Sequence, residues 1–301
     1  MLTEEQVKAR KSLIGGSDAA AILGLSRWET PLSVWSEKTG AIPTEDKSGI
    51  LAIEVGNELE SLVCKLFEKR TGKKTRRVND YRIHPQYSFI GCQIDRRVVG
   101  EDAILEAKTA SWRKAEEWKD DEIPQEYLVQ VMQQLLVTGA AHAYIAVLIG
   151  GNQNFLWKKV ERDETLIKTI LDREVEFWTK FVEPRVMPQL VMADDTKTLG
   201  KLFPSGVENP TIELGKSGEE IIAGIDRLAV QIKALEDAIE TEKNRLRLML
   251  GEHAIATAGP RKVTWKNQET TRLDTKKFKE SQPDLFARYA KTTHSRVLRI
   301  S

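Results

Sequence analysis

The chain has 301 residues with 46 Lys and Arg against 45 Asp and Glu, and 41% of its residues are apolar. These values exclude global disorder and predict one sizeable domain with an appendage. No apolar run could span a bilayer, and two cysteines are too few for a disulfide scaffold, a four-cysteine zinc site or an iron–sulfur cluster. We therefore expect a soluble intracellular protein, whose net charge of +1 neither indicates nor excludes a nucleic-acid partner.

The first part of the chain is predicted to be helical. Ser17 and Asp18 are expected to cap the second helix, and the third should begin at Pro31 and end near Gly40, following helix-capping preferences. The fourth has apolar residues at helical spacing, which indicates an amphipathic helix. The four predicted helices are Thr3–Gly16, Ala19–Leu23, Pro31–Lys38 and Ile53–Thr71.

Strands dominate the next part. Gly100–Asp102 predicts a tight hairpin connection, and Pro184 disfavours continuation of the last helix. We predict an α/β (α+β) domain over residues 1–190, with a mixed central sheet flanked by helices. Its strands are expected at Arg82–His84, Phe89–Val99, Ala103–Thr109, His142–Ile149 and Asn154–Glu161, and its helices at Gln125–Thr138 and Asp163–Val182.

The remaining residues differ from the first domain in composition and in apolar spacing. Residues 191–218 are rich in Asp, Thr, Gly, Ser and Pro and are predicted to form a linker or arm. Residues 219–301 are predicted to form a small module for oligomerisation or partner docking. The apolar face of its long helix needs a partner, which could be the first domain, another subunit or a separate protein. The module's elements are predicted at 219–250 (helix), 254–267 (strand-like), 275–279 (helix) and 296–300 (strand).

Asp95 and the run Glu106-Ala107-Lys108 lie on two strands that the hairpin joins. Because side chains alternate along a strand, Glu106 and Lys108 project to one side, and Ala107 leaves its carbonyl near the same edge. Two carboxylates and a carbonyl suit Mg2+ or Mn2+, and the lysine could position a water or stabilise phosphate charge. A solvated hairpin face could produce the same pattern. The apolar flanks favour a metal site for phosphodiester hydrolysis, since a carboxylate in such surroundings needs a partner.

Further motifs accompany this constellation in order along the chain. They are RKSLIGGSDAAAILG from Arg10, GNELE ending at Glu60, and YLVQ ending at Gln130. With Asp95 and the Glu-Ala-Lys run, they resemble the YqaJ-like viral recombinases, a family of the PD-(D/E)XK nuclease superfamily similar to phage lambda exonuclease. The resemblance covers about Arg10 to Pro184, and it implies the PD-(D/E)XK, restriction-endonuclease-like core.

The resemblance also implies residue roles. Ser17 could instead be only a helix cap, Glu60 a solvated helix residue and Tyr127 a packing residue. The basic run Lys69–Arg77 could contact DNA phosphates or be a solvated face. The implied metal ligands are Glu60, Asp95, Glu106 and Ala107, the implied catalytic residues are Asp95, Glu106, Lys108 and Gln130, and the implied DNA contacts are Arg10, Ser17 and Tyr127, with Arg10 and Ser17 gripping a 5'-phosphate.

For the whole protein, the resemblance implies a Mg2+-dependent deoxyribonuclease, with Mn2+ able to substitute. It would digest double-stranded DNA from a 5' end and leave a 3' single strand for phage-type recombination in the host cytoplasm. The implied partners are a single-strand annealing protein and further copies of the chain in a ring, of which a trimer is the expected form. Two alternatives stay open, an endonuclease with the same core and a non-catalytic DNA-binding scaffold.

Overall fold

The computed structural model describes residues 12–43, 49–78, 80–120, 122–151, 153–189, 191–206, 211–292 and 296–300. The chain divides into two compact units, Met1–Phe203 and Pro204–Ser301. The helices of the first unit are α1 (Gly16–Ile22), α2 (Pro31–Thr39), α3 (Leu51–Thr71), α4 (Gln125–Thr138), α5 (Glu164–Phe177) and α6 (Thr196–Leu202). Two 3-10 helices (Trp112–Trp118, Ala193–Asp195) and a π-helical turn (Trp178–Val182) complete them.

A mixed sheet forms the centre of the first unit. Its strand order is β1-β4-β5-β6-β7, with β5 and β6 parallel and the other neighbours antiparallel. The two remaining strands, β2 and β3, pair in a separate antiparallel ribbon. This architecture confirms the predicted α/β class with a mixed central sheet flanked by helices. The strands are β1 (Thr75–Arg77), β2 (Arg82–Ile83), β3 (Gly91–Cys92), β4 (Arg96–Val98), β5 (Ala103–Ala110), β6 (His142–Ile149) and β7 (Asn154–Glu161).

Helices cover both faces of this sheet. Ile104 of β5 is buried in the cluster that contains Leu135 of α4, whereas the next residue, Leu105, is buried with Phe67 of α3. Each such buried side chain contributes roughly 1.5–3 kcal/mol of transfer free energy. Because side chains alternate along a strand, Glu106 and Lys108 continue the face of Ile104 and point toward α4.

The start of the described chain corrects two predictions. Residues 12–15 are not helical, and the rest of the predicted Thr3–Gly16 helix, apart from Gly16, lies outside the described residues. Helix α1 begins at Gly16, and Asp18 Oδ2 accepts a hydrogen bond from Gly15 N at 2.8 Å. Ser17 therefore lies inside the helix, and its predicted position as a cap was wrong. The predicted start at Ala19 was wrong as well.

The predicted strand Phe89–Val99 is broken into two. Gly91 of β3 pairs with Ile83 of β2, whereas Arg96 of β4 pairs with Leu105 of β5. The two short strands thus belong to different sheets, and Asp95 lies just before the second. The break matters for the site. Next to it, the Asp95 side chain accepts the hydrogen bond from Ala107 N that a backbone carbonyl would accept in a continuous strand.

Beyond β7 the predictions hold in part. The stretch read as a linker contains α6, and the buried Asp195 just before it accepts hydrogen bonds from Thr30 Oγ1 and from Met192 N. In the second unit, residues 296–300 do not form the predicted strand. Its elements are α7 (Gly215–Leu250), an antiparallel hairpin of β8 (Ile255–Ala258) and β9 (Arg261–Thr264), α8 (Thr275–Ser281) and α9 (Pro283–Tyr289). Among the residues described, none of the helices has the length and apolarity needed to cross a membrane.

Candidate active site

Glu106 of β5 is buried, with 4% of its surface exposed, and is held by three side chains. Its Oε1 lies 2.6 Å from Lys108 Nζ and accepts a hydrogen bond from Gln130 Nε2 at 2.7 Å. Its Oε2 accepts from Gln134 Nε2, also at 2.7 Å. The two glutamines are four residues apart on α4 and therefore share one face of that helix. The orientation of the Glu106 carboxylate is thus fixed by the helix packed against its strand.

Asp95 lies beside Glu106 at the edge of β5. Ala107 N donates a hydrogen bond to Asp95 Oδ2 at 2.7 Å, just past the point where β4 stops pairing with β5. The N–H and C=O of one strand residue point toward the same neighbour, so the Ala107 carbonyl also faces this edge. Burial, and then the charge of Glu106, raise the pKa of Asp95 well above its usual value, while Lys108 opposes the shift.

Lys108 supplies a positive charge next to the two carboxylates. Its Nζ donates to Gln130 Oε1 at 2.9 Å and lies 5.2 Å from the centre of the Tyr127 ring. Burial lowers the pKa of Lys108, but Glu106 and Asp95 raise it more, and the net shift is upward. The lysine therefore stays protonated at neutral pH and acts as a fixed cation.

The donor set fits a hard divalent cation at Asp95, Glu106 and the Ala107 carbonyl. Two closely placed carboxylates face one ammonium, which leaves negative charge that a cation would neutralise. Glu60 lies on α3, which packs on the opposite face of the sheet from the Glu106 side chain, and its role as a metal ligand stays a prediction. Its charge contributes to the raised pKa of Asp95, but no group of three His, Cys, Asp or Glu in the described ranges is arranged to hold a metal.

The residues expected to contact DNA are placed differently from one another. Ser17 is exposed in the first turn of α1, and Arg10 lies outside the described residues. That turn packs directly on α4, since a Cβ added to Gly16 would lie 3.2 Å from Gln130 Cγ. Ser17 is therefore next in sequence to Gly16, whose backbone lies against Gln130, one of the side chains that contact Glu106.

Tyr127 sits in an aromatic stack beside Lys108. Its ring centre lies 5.5 Å from that of Trp118 and 5.9 Å from that of Trp28. Trp118 is buried and Trp28 is 64% exposed, so the stack runs from the core to the surface. Burial raises the pKa of Tyr127. A packing role for Tyr127 is therefore evident from its surroundings, and a DNA contact stays a prediction.

Gln134 is also part of this site, although it was not among the residues predicted from the sequence. Besides its hydrogen bond to Glu106, Gln134 Nε2 lies 3.1 Å from the carbonyl of Gln93, on the segment that leads to Asp95. The side chain is buried, as is that of Gln133, which donates to the Gly91 carbonyl. The spacing of four from Gln130 was the available signal, because it places both amides on one helical face.

Comparisons with known proteins place the chain in a family. The family described as the YqaJ-like viral recombinase domain matches residues 5–141. The protein YqaJ of Bacillus subtilis (strain 168) is 39% identical over 299 residues, covering 98% of this chain and 93% of that protein. The chain belongs to the YqaJ-like viral recombinase family. The resemblance found in the sequence is confirmed.

Solved structures similar to this YqaJ-like chain include an alkaline exonuclease, LHK-Exo, from Laribacter hongkongensis. It is 19% identical with a TM-score of 0.51, and the match covers 61% of this chain and 94% of LHK-Exo. A structure of LHK-Exo in complex with dAMP gives 21% identity and a TM-score of 0.52 over the same shares. At these identities the likeness concerns the fold, and it agrees with the mixed sheet flanked by helices.

Proposed function

We propose that this YqaJ-like protein is a metal-dependent deoxyribonuclease that degrades double-stranded DNA from a 5' end and leaves a 3' single strand. The observation that carries the proposal is the arrangement of Asp95, Glu106, the Ala107 carbonyl and Lys108 along one edge of β5. Hard oxygen donors next to a fixed cation suit phosphodiester hydrolysis. A protein of similar fold is an alkaline exonuclease that was also solved with dAMP, a deoxynucleotide.

In this proposal Asp95, Glu106 and the Ala107 carbonyl hold Mg2+, with Mn2+ able to substitute. Bound metal would polarise the phosphate and lower the pKa of a coordinated water. Glu60 supports or ligates the metal, directly or through a water molecule, and its charge contributes to the raised pKa of Asp95.

The remaining polar residues act on the phosphate or hold the carboxylates. Lys108 places its ammonium where negative charge builds on the phosphate, an effect that is strong in a site partly shielded from water. Gln130 bridges the two strand residues, since it donates to Glu106 and accepts from Lys108. It therefore keeps the carboxylate and the ammonium at a fixed separation while the substrate binds.

We extend the proposal to the DNA end and to the partners. Arg10 and Ser17 bind the terminal 5'-phosphate, and Tyr127 contacts the DNA next to Lys108. The first turn of α1 lies against Gln130, which supports a phosphate position near the Glu106 network. Several copies of the chain enclose the duplex, and a single-strand annealing protein receives the 3' strand that digestion exposes.

The decisive experiment uses three duplexes of one sequence: linear with a 5'-phosphate, linear with a 5'-hydroxyl, and covalently closed circular. With Mg2+ we expect deoxynucleotides to be released fastest from the phosphorylated linear duplex. Each strand should shorten from its 5' end. The circle should stay intact, and EDTA should stop all digestion. A label at the 3' end of each strand should remain on long products until late in the reaction.

The other outcomes are equally informative. Cutting of the closed circle would identify an endonuclease instead. Binding of all three duplexes without digestion, in Mg2+ and in Mn2+, would identify a DNA-binding scaffold and reject the proposed chemistry. Loss of the 3' label at the start would reverse the proposed polarity.

A further inference from the structure

Helix α7 carries an apolar stripe along its whole length. The helix has 36 residues, which at 1.5 Å per residue makes it about 54 Å long. Apolar residues recur at alternating intervals of four and three, the repeat of a coiled coil. The only charged residue in this series is Glu242. The apolar members are Ile221, Ile225, Leu228, Ile232, Leu235, Ile239, Leu246 and Met249.

All eight side chains of the stripe are exposed. Leu228 and Leu235, in the middle of the helix, are 60% and 64% exposed. Monomeric proteins rarely expose a continuous apolar surface of this length, and such a surface marks an interaction site. Within the described residues of its own unit, therefore, the stripe is left uncovered.

The order of residue types along the stripe indicates how many helices would pack together. In heptad terms Ile225, Ile232 and Ile239 occupy the a positions, and Leu228 and Leu235 occupy the d positions between them. In parallel coiled coils, Ile at a with Leu at d favours two strands over three or four. We propose that α7 forms a parallel two-stranded coiled coil with α7 of a second copy of this chain. In this pairing each a or d residue packs against the same residue of the second copy, so the one sequence provides both complementary surfaces.

The contact area is sufficient for a stable pair. A helix about 54 Å long and about 11 Å wide covers roughly 600 Å2 of its partner, or roughly 1,200 Å2 summed over both helices. Specific interfaces begin at about this size. The stripe alone therefore provides what a dimer needs.

Glu242 occupies a d position, where two copies of this carboxylate would meet. Arg245 Nη1 lies 2.6 Å from Glu242 Oε1, so each carboxylate brings its own counter-charge. Lys243 lies next to Glu242 in the sequence and adds a second positive charge at the edge of the seam. A single polar layer in an apolar seam costs stability and fixes the register, because shifting one helix would bury Glu242 against an apolar layer.

The first test measures the mass of the full-length protein by light scattering. Ile232→Lys places a charge in the seam, and Val230→Lys is the matched control. Both residues are β-branched and exposed, at 56% and 71%, but Val230 lies off the stripe. Lysine favours helix more than either residue, so folding should be retained. We expect Val230→Lys to keep the wild-type mass and Ile232→Lys to halve it.

The second test measures orientation and strand number by oxidation of single added cysteines. Cys64 and Cys92 are buried, so the added thiol is the accessible one. Met249→Cys lies in the seam near one end of the helix, and Leu248→Cys is its exposed neighbour outside the seam. In a parallel pair the two thiols added at position 249 are adjacent. In an antiparallel pair that overlaps the whole stripe, Met249 would face Ile221 of the other helix, and the two thiols would lie about 42 Å apart.

We expect Met249→Cys to convert completely into disulfide-linked dimer and Leu248→Cys to remain largely uncrosslinked. Crosslinking that stops at two thirds would reveal three strands, and absence of crosslinking would exclude the parallel pair. Equal masses for wild type and Ile232→Lys would also overturn the proposal. Neither readout depends on nuclease activity, so failure here and failure of the proposed function can be told apart.

Discussion

Glu106 on β5 and Glu174 on α5 are both buried, with 4% and 0% of their surfaces exposed, but their surroundings are opposite. Glu106 contacts a lysine and two glutamine amides. Neither carboxylate oxygen of Glu174 has a hydrogen-bond partner in the described part of the chain. Burial, and then the charge of Asp18, raise the pKa of Glu174 well above its usual value.

Buried carboxyl groups are held in two different ways in this fold. Asp18 forms a salt bridge with Lys38, whose Nζ lies 2.6 Å from Asp18 Oδ2. Glu174 is left with burial and repulsion, which favour its neutral form. Glu106 instead contacts an ammonium group and two amide NH2 groups. The same exchange of Glu for Gln should therefore have different consequences at the two positions.

The largest expected effect is that of Glu106→Gln. It removes the charge that faces Lys108 and the proposed metal position, and we expect nuclease activity on linear duplex to fall by at least about 10³-fold. Glu174→Gln, the matched control, should retain the wild-type rate. Release of acid-soluble nucleotides in Mg2+ measures both.

Folding must be followed in the same samples, because the amide introduced by Glu106→Gln would present an NH2 group to amide donors. Glutamine side chains can rotate to accept from it, and we expect a stability loss of about 1–3 kcal/mol. Circular dichroism and thermal unfolding measure this loss. Equal activity of the two variants would contradict the distinction between a functional and a structural carboxyl.

The next largest effect is expected for Lys108→Met, which keeps the length of the side chain and removes its charge. Activity should fall about 10²–10³-fold, as when one group that stabilises transition-state charge is removed. Lys159→Met on β7 is the control, because Lys159 pairs with Glu161 at the surface. A loss of similar size in both variants would mean that general phosphate attraction, and not a positioned ammonium, explains the effect.

Gln134→Met tests whether the donors around Glu106 are needed. Changes in side chains that orient a metal ligand typically cost about 10–100-fold in metal affinity or activity. We expect the Mg2+ concentration for half-maximal rate to rise accordingly. Gln133→Met is a close control, since Gln133 is also buried and also donates to a backbone carbonyl, that of Gly91, but does not contact Glu106. The idea fails if the two variants need the same Mg2+ concentration.

The sequence predicts those parts of the fold in which the local pattern of apolar and polar residues is sufficient to define the element. The bounds of α4, β6 and β7 agree with the predicted ranges, because apolar periodicity and the flanking turns mark each element locally. The break at Asp95 could not be predicted, since it depends on β3 and β4 joining different sheets. The strand β1 within the basic run was missed for the same reason, because three polar residues gain strand structure only from pairing with β4.

The site likewise contains residues that the sequence predicts and residues whose placement depends on tertiary packing. A hairpin and the alternation of side chains were enough to bring Asp95, Glu106 and Lys108 together in the prediction. The burial of Gln134 and Glu174 was not predictable, because polar residues on helices usually face solvent and only tertiary packing reverses this. Helix α3 is predicted well, whereas the face of the sheet that it covers follows only from tertiary packing.

The smallest expected effect, and the one that isolates Glu174, is on stability. Its pKa is higher in the folded state than in the unfolded state, so its favourable contribution is complete below the unfolded pKa of about 4.3 and is lost as the pH rises toward the folded value. The amide of the Glu174→Gln variant cannot ionise. The midpoint of thermal unfolding of this variant should therefore exceed that of wild type by an amount that grows between pH 5 and 8.

Each kcal/mol recovered by Glu174→Gln should raise the midpoint by about 2–4 °C in a unit of this size. Glu176→Gln on the same helix is the control with the opposite sign. Glu176 is paired with Lys180 and Arg173, and its pKa is lowered mainly by its hydrogen bond to Lys180. Its replacement should give no gain at any pH in this range. A difference between Glu174→Gln and wild type that stays constant or shrinks with rising pH would mean that Glu174 has a partner that stabilises its charge.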